Sequence, residues 1–82
     1  EASYVVERLV ETAAREMKLD PAEIRRRNFI TEFPYQTPVA LQYDIGNYNA
    51  TLEAAQKLGD VAGFAARRKA SEAKGKLRGL GY

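Results

Sequence analysis

The chain contains no histidine, no cysteine and no tryptophan. Without histidine it lacks the usual general base near neutral pH and the commonest metal ligand. With cysteine missing too, the usual zinc ligand sets and Ser-His or Cys-His nucleophilic pairs are excluded within these residues. No disulfide can form, and the lack of cysteine fits a reducing, cytoplasmic setting. Long apolar runs are also absent, so nothing is of a length to span a bilayer. No charged, apolar and small-residue succession of a signal peptide opens the chain. What remains, 45% apolar and 29% charged residues, is an ordinary globular balance rather than a disordered or fibrous one. Eighty-two residues make one small domain at most, burying about 60 to 65% of the unfolded surface, so a thin core is expected.

Charge is uneven. Residues 1–56 carry six basic and nine acidic side chains, and residues 57–82 carry seven and two, so the two parts stand at −3 and +5. The chain opens on Glu1-Ala2 and stops at Gly79-Leu80-Gly81-Tyr82, inside an apolar, glycine-spaced run. The expectation is a fragment of something longer.

From Ala2 to Leu19, Val6, Leu9, Val10, Ala13 and Met17 recur at steps of three and four, which predicts an amphipathic helix with one buried stripe. Glu11 and Arg15, four apart with the acid first, suit one another on its exposed side. Asp20-Pro21-Ala22-Glu23 predicts a second helix. Asp20 caps it, Pro21 presets the first helical position and Glu23 closes a capping box. It runs through about Asn28, which ends it by tolerating the left-handed conformation, and Ile24 faces inward.

Phe29 to Asn47 is a long connection with Pro34, Pro38 and Gly46 and no helical period. Its aromatic and apolar members, Phe29, Ile30, Phe33, Tyr35, Val39, Leu41 and Tyr43, are too many for a solvated linker, and Val39–Tyr43 could form one strand. Asn47, with Asp44 as the alternative, caps a third helix over Tyr48–Leu58 whose inner face is Tyr48, Leu52, Ala55 and Leu58. Gly59 stops it. A fourth helix starts at Asp60, carries Val61, Phe64 and Ala65, and ends at Gly75, with basic residues near the negative end of its dipole. The fold class expected is mainly α: four helices, one long aromatic-rich loop and at most one short strand, residues 1–82 forming a single helical subdomain.

Several groups invite a functional reading. Arg25-Arg26-Arg27 and Arg67-Arg68-Lys69, with Lys74, Lys76 and Arg78, suggest a phosphate-binding stripe. Three consecutive helical residues point in three directions, however, so solvated faces or subunit contacts are the preferred reading. Glu32, Asp44 and Glu53 do not match the alternating oxygen ligands of a calcium loop, and Asp44 beside Gly46 reads as an aspartate-initiated turn. Gly75, Gly79 and Gly81 lack the preceding strand of a phosphate loop and suggest a turn into a glycine-containing strand. Tyr4, Tyr35, Tyr43, Tyr48 and Tyr82 sit where packing explains them better than base stacking.

Taken in order, Glu7 and Arg8, then Asp20-Pro21, Glu23, Arg25 and Asn28, then Tyr43-Asp44, Gly46 and Tyr48, then Arg78-Gly79-Leu80-Gly81 resemble the large, molybdopterin-binding subunit of the molybdenum hydroxylases, the family of xanthine dehydrogenase, aldehyde oxidase and aerobic carbon monoxide dehydrogenase. Phe33-Pro34-Tyr35 and Thr37-Pro38 are most like the carbon monoxide dehydrogenase branch. Ile45 departs from the family, which usually has serine there.

The resemblance implies an oxidoreductase parent that uses molybdenum with molybdopterin cytosine dinucleotide, alongside iron–sulfur and flavin subunits or domains. It also implies that the cofactor-holding segments and the catalytic glutamate lie elsewhere in that parent. No catalytic, cofactor-binding or metal-binding residue is assigned to this chain, which is expected to be a non-catalytic helical segment packed on the rest of its subunit. Neither nucleic acid nor a membrane span is expected. The alternative is a small basic helical module that binds nucleic acid or a protein partner, motivated by the +5 tail.

Overall fold

The computed structural model describes all 82 residues. Four helices follow one another, α1 (Ala2–Glu16), α2 (Pro21–Asn28), α3 (Tyr48–Leu58) and α4 (Phe64–Glu72), with a small hairpin, β1 (Tyr35–Gln36) and β2 (Gln42–Tyr43), between the second and third. The mainly α expectation is met. The long connection is more ordered than its sequence suggests: it contains two short strands rather than one, antiparallel, with Tyr35 opposite Tyr43 and Gln36 opposite Gln42. Thr37 closes the hairpin, its N–H donating to the Leu41 carbonyl at 2.8 Å and its hydroxyl to the same oxygen at 2.7 Å.

The helix ends show how local chemistry sets boundaries. At the end of α1, Lys18 takes a left-handed backbone (φ 55°). Its N–H reaches the Arg15 carbonyl, and the Leu19 N–H reaches the Ala14 carbonyl at 2.8 Å. This is the paired closure a glycine usually makes, here built on a lysine. Asp20 caps α2 as expected, its carboxylate accepting from the Ala22 and Glu23 N–H groups at 2.9 and 3.0 Å.

The capping box does not close. Glu23 turns outward to Arg27 at 2.8 Å, because a nearby guanidinium competes for its carboxylate. Asn28 ends α2 without a left-handed backbone, its side-chain amide donating to the Ile24 carbonyl at 2.7 Å. Asn47 caps α3 by accepting from the Ala50 N–H at 3.1 Å. Asp44 does not cap that helix, and it does not make the expected turn to Gly46 either: its carboxylate accepts from the next amide, Ile45 N–H, at 2.9 Å.

Gly59 stands at the end of α3 with ordinary helical angles, and the left-handed residue there is Asp60 (φ 46°). The fourth helix is therefore not continuous from Asp60. A 3-10 turn, Val61–Gly63, comes first, held by Asp60 accepting from the Gly63 N–H, and α4 follows. Gly75 closes α4 in the left-handed region (φ 66°) as expected, with Lys76 N–H on the Ser71 carbonyl at 2.9 Å. No strand follows. Residues 76–82 are extended coil that folds back along the helices, so the expected glycine strand is absent.

Burial is the most unusual property. Only Ala14 and Ala22 are fully buried, one from α1 and one from α2. A compact monomer of this size exposes about 4,900 Å², whereas this chain exposes 6953 Å². Its radius of gyration is 15.9 Å and it extends over 51 × 24 × 23 Å, where a compact chain of this length has a radius of about 12 Å. The expected stripe of α1 is present but uncovered. Val6, Leu9 and Met17 are 55, 65 and 62% exposed, and of the stripe only Val10 and Ala13 are half-buried. On α3 the inner face is Tyr48, Leu52 and Gln56, and Leu58 is 91% exposed, contrary to expectation. No helix is long and apolar enough to cross a membrane.

Candidate functional site

The polar centre of the molecule is Arg25, one turn into α2. Its Nη1 donates to the Pro21 carbonyl at 2.8 Å, which bends the side chain back toward α1. There Nε donates to Glu7 Oε2 at 3.1 Å, Nη2 donates to the same oxygen, and Nη1 lies 3.1 Å from Glu11 Oε1. Glu7 and Glu11 are four apart and so share one face of α1, which makes them a two-carboxylate receptor for one guanidinium fork. The ring of Tyr82 stacks over the Arg25 guanidinium with its centroid at 5.3 Å, a cation–π distance. The Arg25 side chain is only 11% exposed.

A second layer ties α3 and the tail to this pair. Arg26 Nη2 donates to Gln56 Oε1 at 2.9 Å, and Gln56 Nε2 contacts the Tyr82 hydroxyl at 3.1 Å. Of the tyrosines considered for base stacking, Tyr82 is therefore used on arginine, and Tyr35 and Tyr43 pair across the hairpin. Tyr48 packs between Phe29 and Phe33 at centroid distances of 5.9 and 6.0 Å. Tyr4 is 70% exposed.

Gly46 explains its own place in the Tyr-Asp-Ile-Gly-Asn-Tyr run. A Cβ there would lie 3.0 Å from Phe33 Cζ and 3.4 Å from Tyr48 Cζ, so any larger residue makes the Phe33 ring give way where the aromatic cluster closes over the entry to α3. Gly63 does the same for the ion pair between Asp60 and Arg67, which a Cβ would strike.

The arginine runs do not form a stripe. Arg25 turns to α1, Arg26 to α3, and Arg27 to Glu23 on its own helix. Arg67 pairs with Asp60, and Arg68 with Glu72 at 3.2 Å. Lys74, Lys76 and Arg78 line an open hollow of about 300 Å³ with Arg67, Ala70 and Ser71, where Arg78 Nε donates to the Ser71 hydroxyl at 3.0 Å. Cations at this end of α4 offset its dipole. Glu32 and Glu53 are exposed, and no cluster of acidic side chains brings them together with Asp44.

Sequence reasoning named Arg25 within a run of three and missed that it differs from its neighbours. The available signal was the Glu7/Glu11 spacing one helix earlier.

The sequence as a whole has relatives among known proteins. The nicotine 6-hydroxylase large subunit of Paenarthrobacter nicotinovorans is 37% identical over 75 residues, covering 92% of this chain. The carbon monoxide dehydrogenase large chain of Afipia carboxidovorans is 38% identical over 76 residues, covering 90%. The corresponding large chain of Hydrogenophaga pseudoflava is 37% identical over 75 residues, covering 89%. The chain is homologous to a stretch of molybdenum hydroxylase large subunits.

It spans 9% of the length of each of these relatives. No family model and no solved structure matches it. Molybdenum hydroxylases use a molybdenum cofactor, so the fit of this stretch to such a group can be tested on its donors. A phosphate-bearing pterin needs free cations or converging backbone N–H groups. Here five arginines are held by carboxylates of the chain itself, and Gly79 and Gly81 stand in open coil with nothing within 4 Å of a Cβ position. Lys74, Lys76 and Arg78, which no carboxylate holds, line an open surface hollow, and no chemical step is assigned to the residues present.

Proposed function

We propose that the chain is one non-catalytic helical subdomain of the large subunit of a cytoplasmic molybdenum hydroxylase, nearest to the carbon monoxide dehydrogenase type. The parent would hold molybdopterin cytosine dinucleotide, work with iron–sulfur and flavin partners, transfer oxygen from water to a small substrate and pass on two electrons. In that setting the segment's work is mechanical. Arg25 locks α1, α2 and the tail into one shape, the Phe29/Phe33/Tyr48 cluster fixes the entry to α3, and the segment supports neighbouring parts of the subunit.

The observation that carries this reading is homology along about nine-tenths of the chain to large subunits alone, joined to a surface some 2,000 Å² larger than a self-contained domain of this size presents. The basic-module alternative draws support from none of the relatives, and the arginines of both its runs, Arg25, Arg26, Arg27, Arg67 and Arg68, are already paired with carboxylates.

The test is molybdenum and pterin analysis of the 82-residue chain purified from cells making active molybdenum hydroxylases. The reading expects neither at stoichiometric level. One molybdopterin per chain contradicts it.

A further inference from the structure

The uncovered stripe of α1 lies beside a groove. Leu9, Val10 and Ala13 of α1 face Ile24 and Phe29 across an open hollow of about 340 Å³, rimmed by Arg25 and Asn28. That volume admits one or two large apolar side chains. The face of α1 toward α2 is set by Glu7, Glu11 and Ala14, which contact Arg25 or are buried. At 100° per residue the centre of the apolar stripe, Leu9, Ala13, Val6 and Met17, lies about a third of a turn away from them. Helix α1 thus has two working faces, of which the chain itself uses only the charged one.

We infer that this groove and stripe form the seam on which the segment docks to the rest of its own subunit, taking apolar side chains from it. The inference rests on the reading of the chain as part of a larger subunit. It commits to an intramolecular occupant for two reasons. A symmetric pair of chains would have to bury roughly 1,200 Å² to form a specific interface, whereas the stripe offers only the side chains of Val6, Leu9, Ala13 and Met17. The relatives, by contrast, carry about ten times this length of chain, and a tethered partner meets the groove at high effective concentration. The lysine-rich end of α4, residues 69–78, then stays in solvent, since burying unpaired ammonium groups is costly.

Because the chain has no cysteine, single cysteines report exposure cleanly. Leu9→Cys, Met17→Cys and Lys76→Cys are made in the 82-residue chain, and also in the Afipia carboxidovorans large chain with its matching 76 residues replaced by this sequence. Maleimide labelling is mapped by mass spectrometry on material that sediments as native subunit. The expectation is fast labelling of all three sites in the 82-residue chain. In the chimera, Leu9→Cys and Met17→Cys fall to slow labelling while Lys76→Cys stays fast. Equal labelling of Leu9→Cys in chain and folded chimera overturns the seam and leaves the subunit reading intact. Dimerisation of the 82-residue chain that protects Leu9→Cys overturns it in favour of a second copy. A chimera that never folds with the unmutated segment removes the underlying reading and the seam with it.

Discussion

Arg25 of α2 places both Nε and Nη2 on a single oxygen of Glu7, eighteen residues earlier, and so clamps the first two helices together. With so little apolar burial, this clamp matters more than a surface ion pair does. The guanidinium is largely buried, Glu11 Oε1 is cut off from water beside it, and Tyr82 closes the other side. Arg25→Ala leaves two carboxylates facing each other with no partner. The expected loss is about 2 to 3 kcal/mol, read as a drop in the urea midpoint. Arg27→Ala, whose side chain is 60% exposed, costs at most about 0.5 kcal/mol. Arg25→Lys recovers little, since an ammonium cannot make the fork.

The cap of α2 gives a second comparison. Asp20→Ala removes the acceptor for two N–H groups and costs about 1 kcal/mol. Glu23→Ala costs only a few tenths, because Glu23 holds Arg27 and not the Asp20 amide. Thermal melts of the two variants separate a one-sided cap from a capping box.

Glycine placement supplies a third. Gly46→Ala pushes a methyl against Phe33 and Tyr48 and is expected to lower stability by about 1 kcal/mol with a loss of near-ultraviolet circular dichroism. Gly79→Ala, in open space, leaves both unchanged.

Lys18 supplies the opposite sign. It occupies a left-handed position that favours glycine, so Lys18→Gly raises the melting temperature, by about 1 kcal/mol in stability. Asp60→Gly does not, even though Asp60 is also left-handed. The carboxylate holds Arg67 and the Gly63 amide, and their loss outweighs the relief of strain.

These residues also show which parts of the structure were legible in the sequence. The helices were, because their signals are local: Asp20-Pro21, Asn47 and Gly75 each act within a turn of themselves. The Tyr35/Tyr43 pairing was not, since strands of two residues carry no alternating pattern and depend on the Thr37–Leu41 closure. Leu58 continues a helical period and was read as inward, yet nothing in the chain lies against it. The stripe of α1 was correctly seen as apolar and expected to be buried, yet Val6, Leu9 and Met17 stay exposed among these residues. A hydrophobic period tells which face seeks cover, and it does not tell whose surface provides it. Arg25 was hidden inside a run of like residues, its role fixed by a pair of carboxylates on another helix. Glu7, Asp20, Arg25, Gly46 and Tyr48, on which the resemblance to large subunits was read, all have structural duties here.

The central claim is that these residues shape a larger subunit and carry none of its chemistry. Its most direct test is carbon monoxide oxidation and molybdenum content of the Afipia carboxidovorans enzyme rebuilt with this sequence in place of its matching 76 residues. The account predicts an assembled enzyme that keeps its molybdenum and turns over close to the unsubstituted rate. A chimera that folds and assembles but loses its molybdenum or its turnover contradicts it.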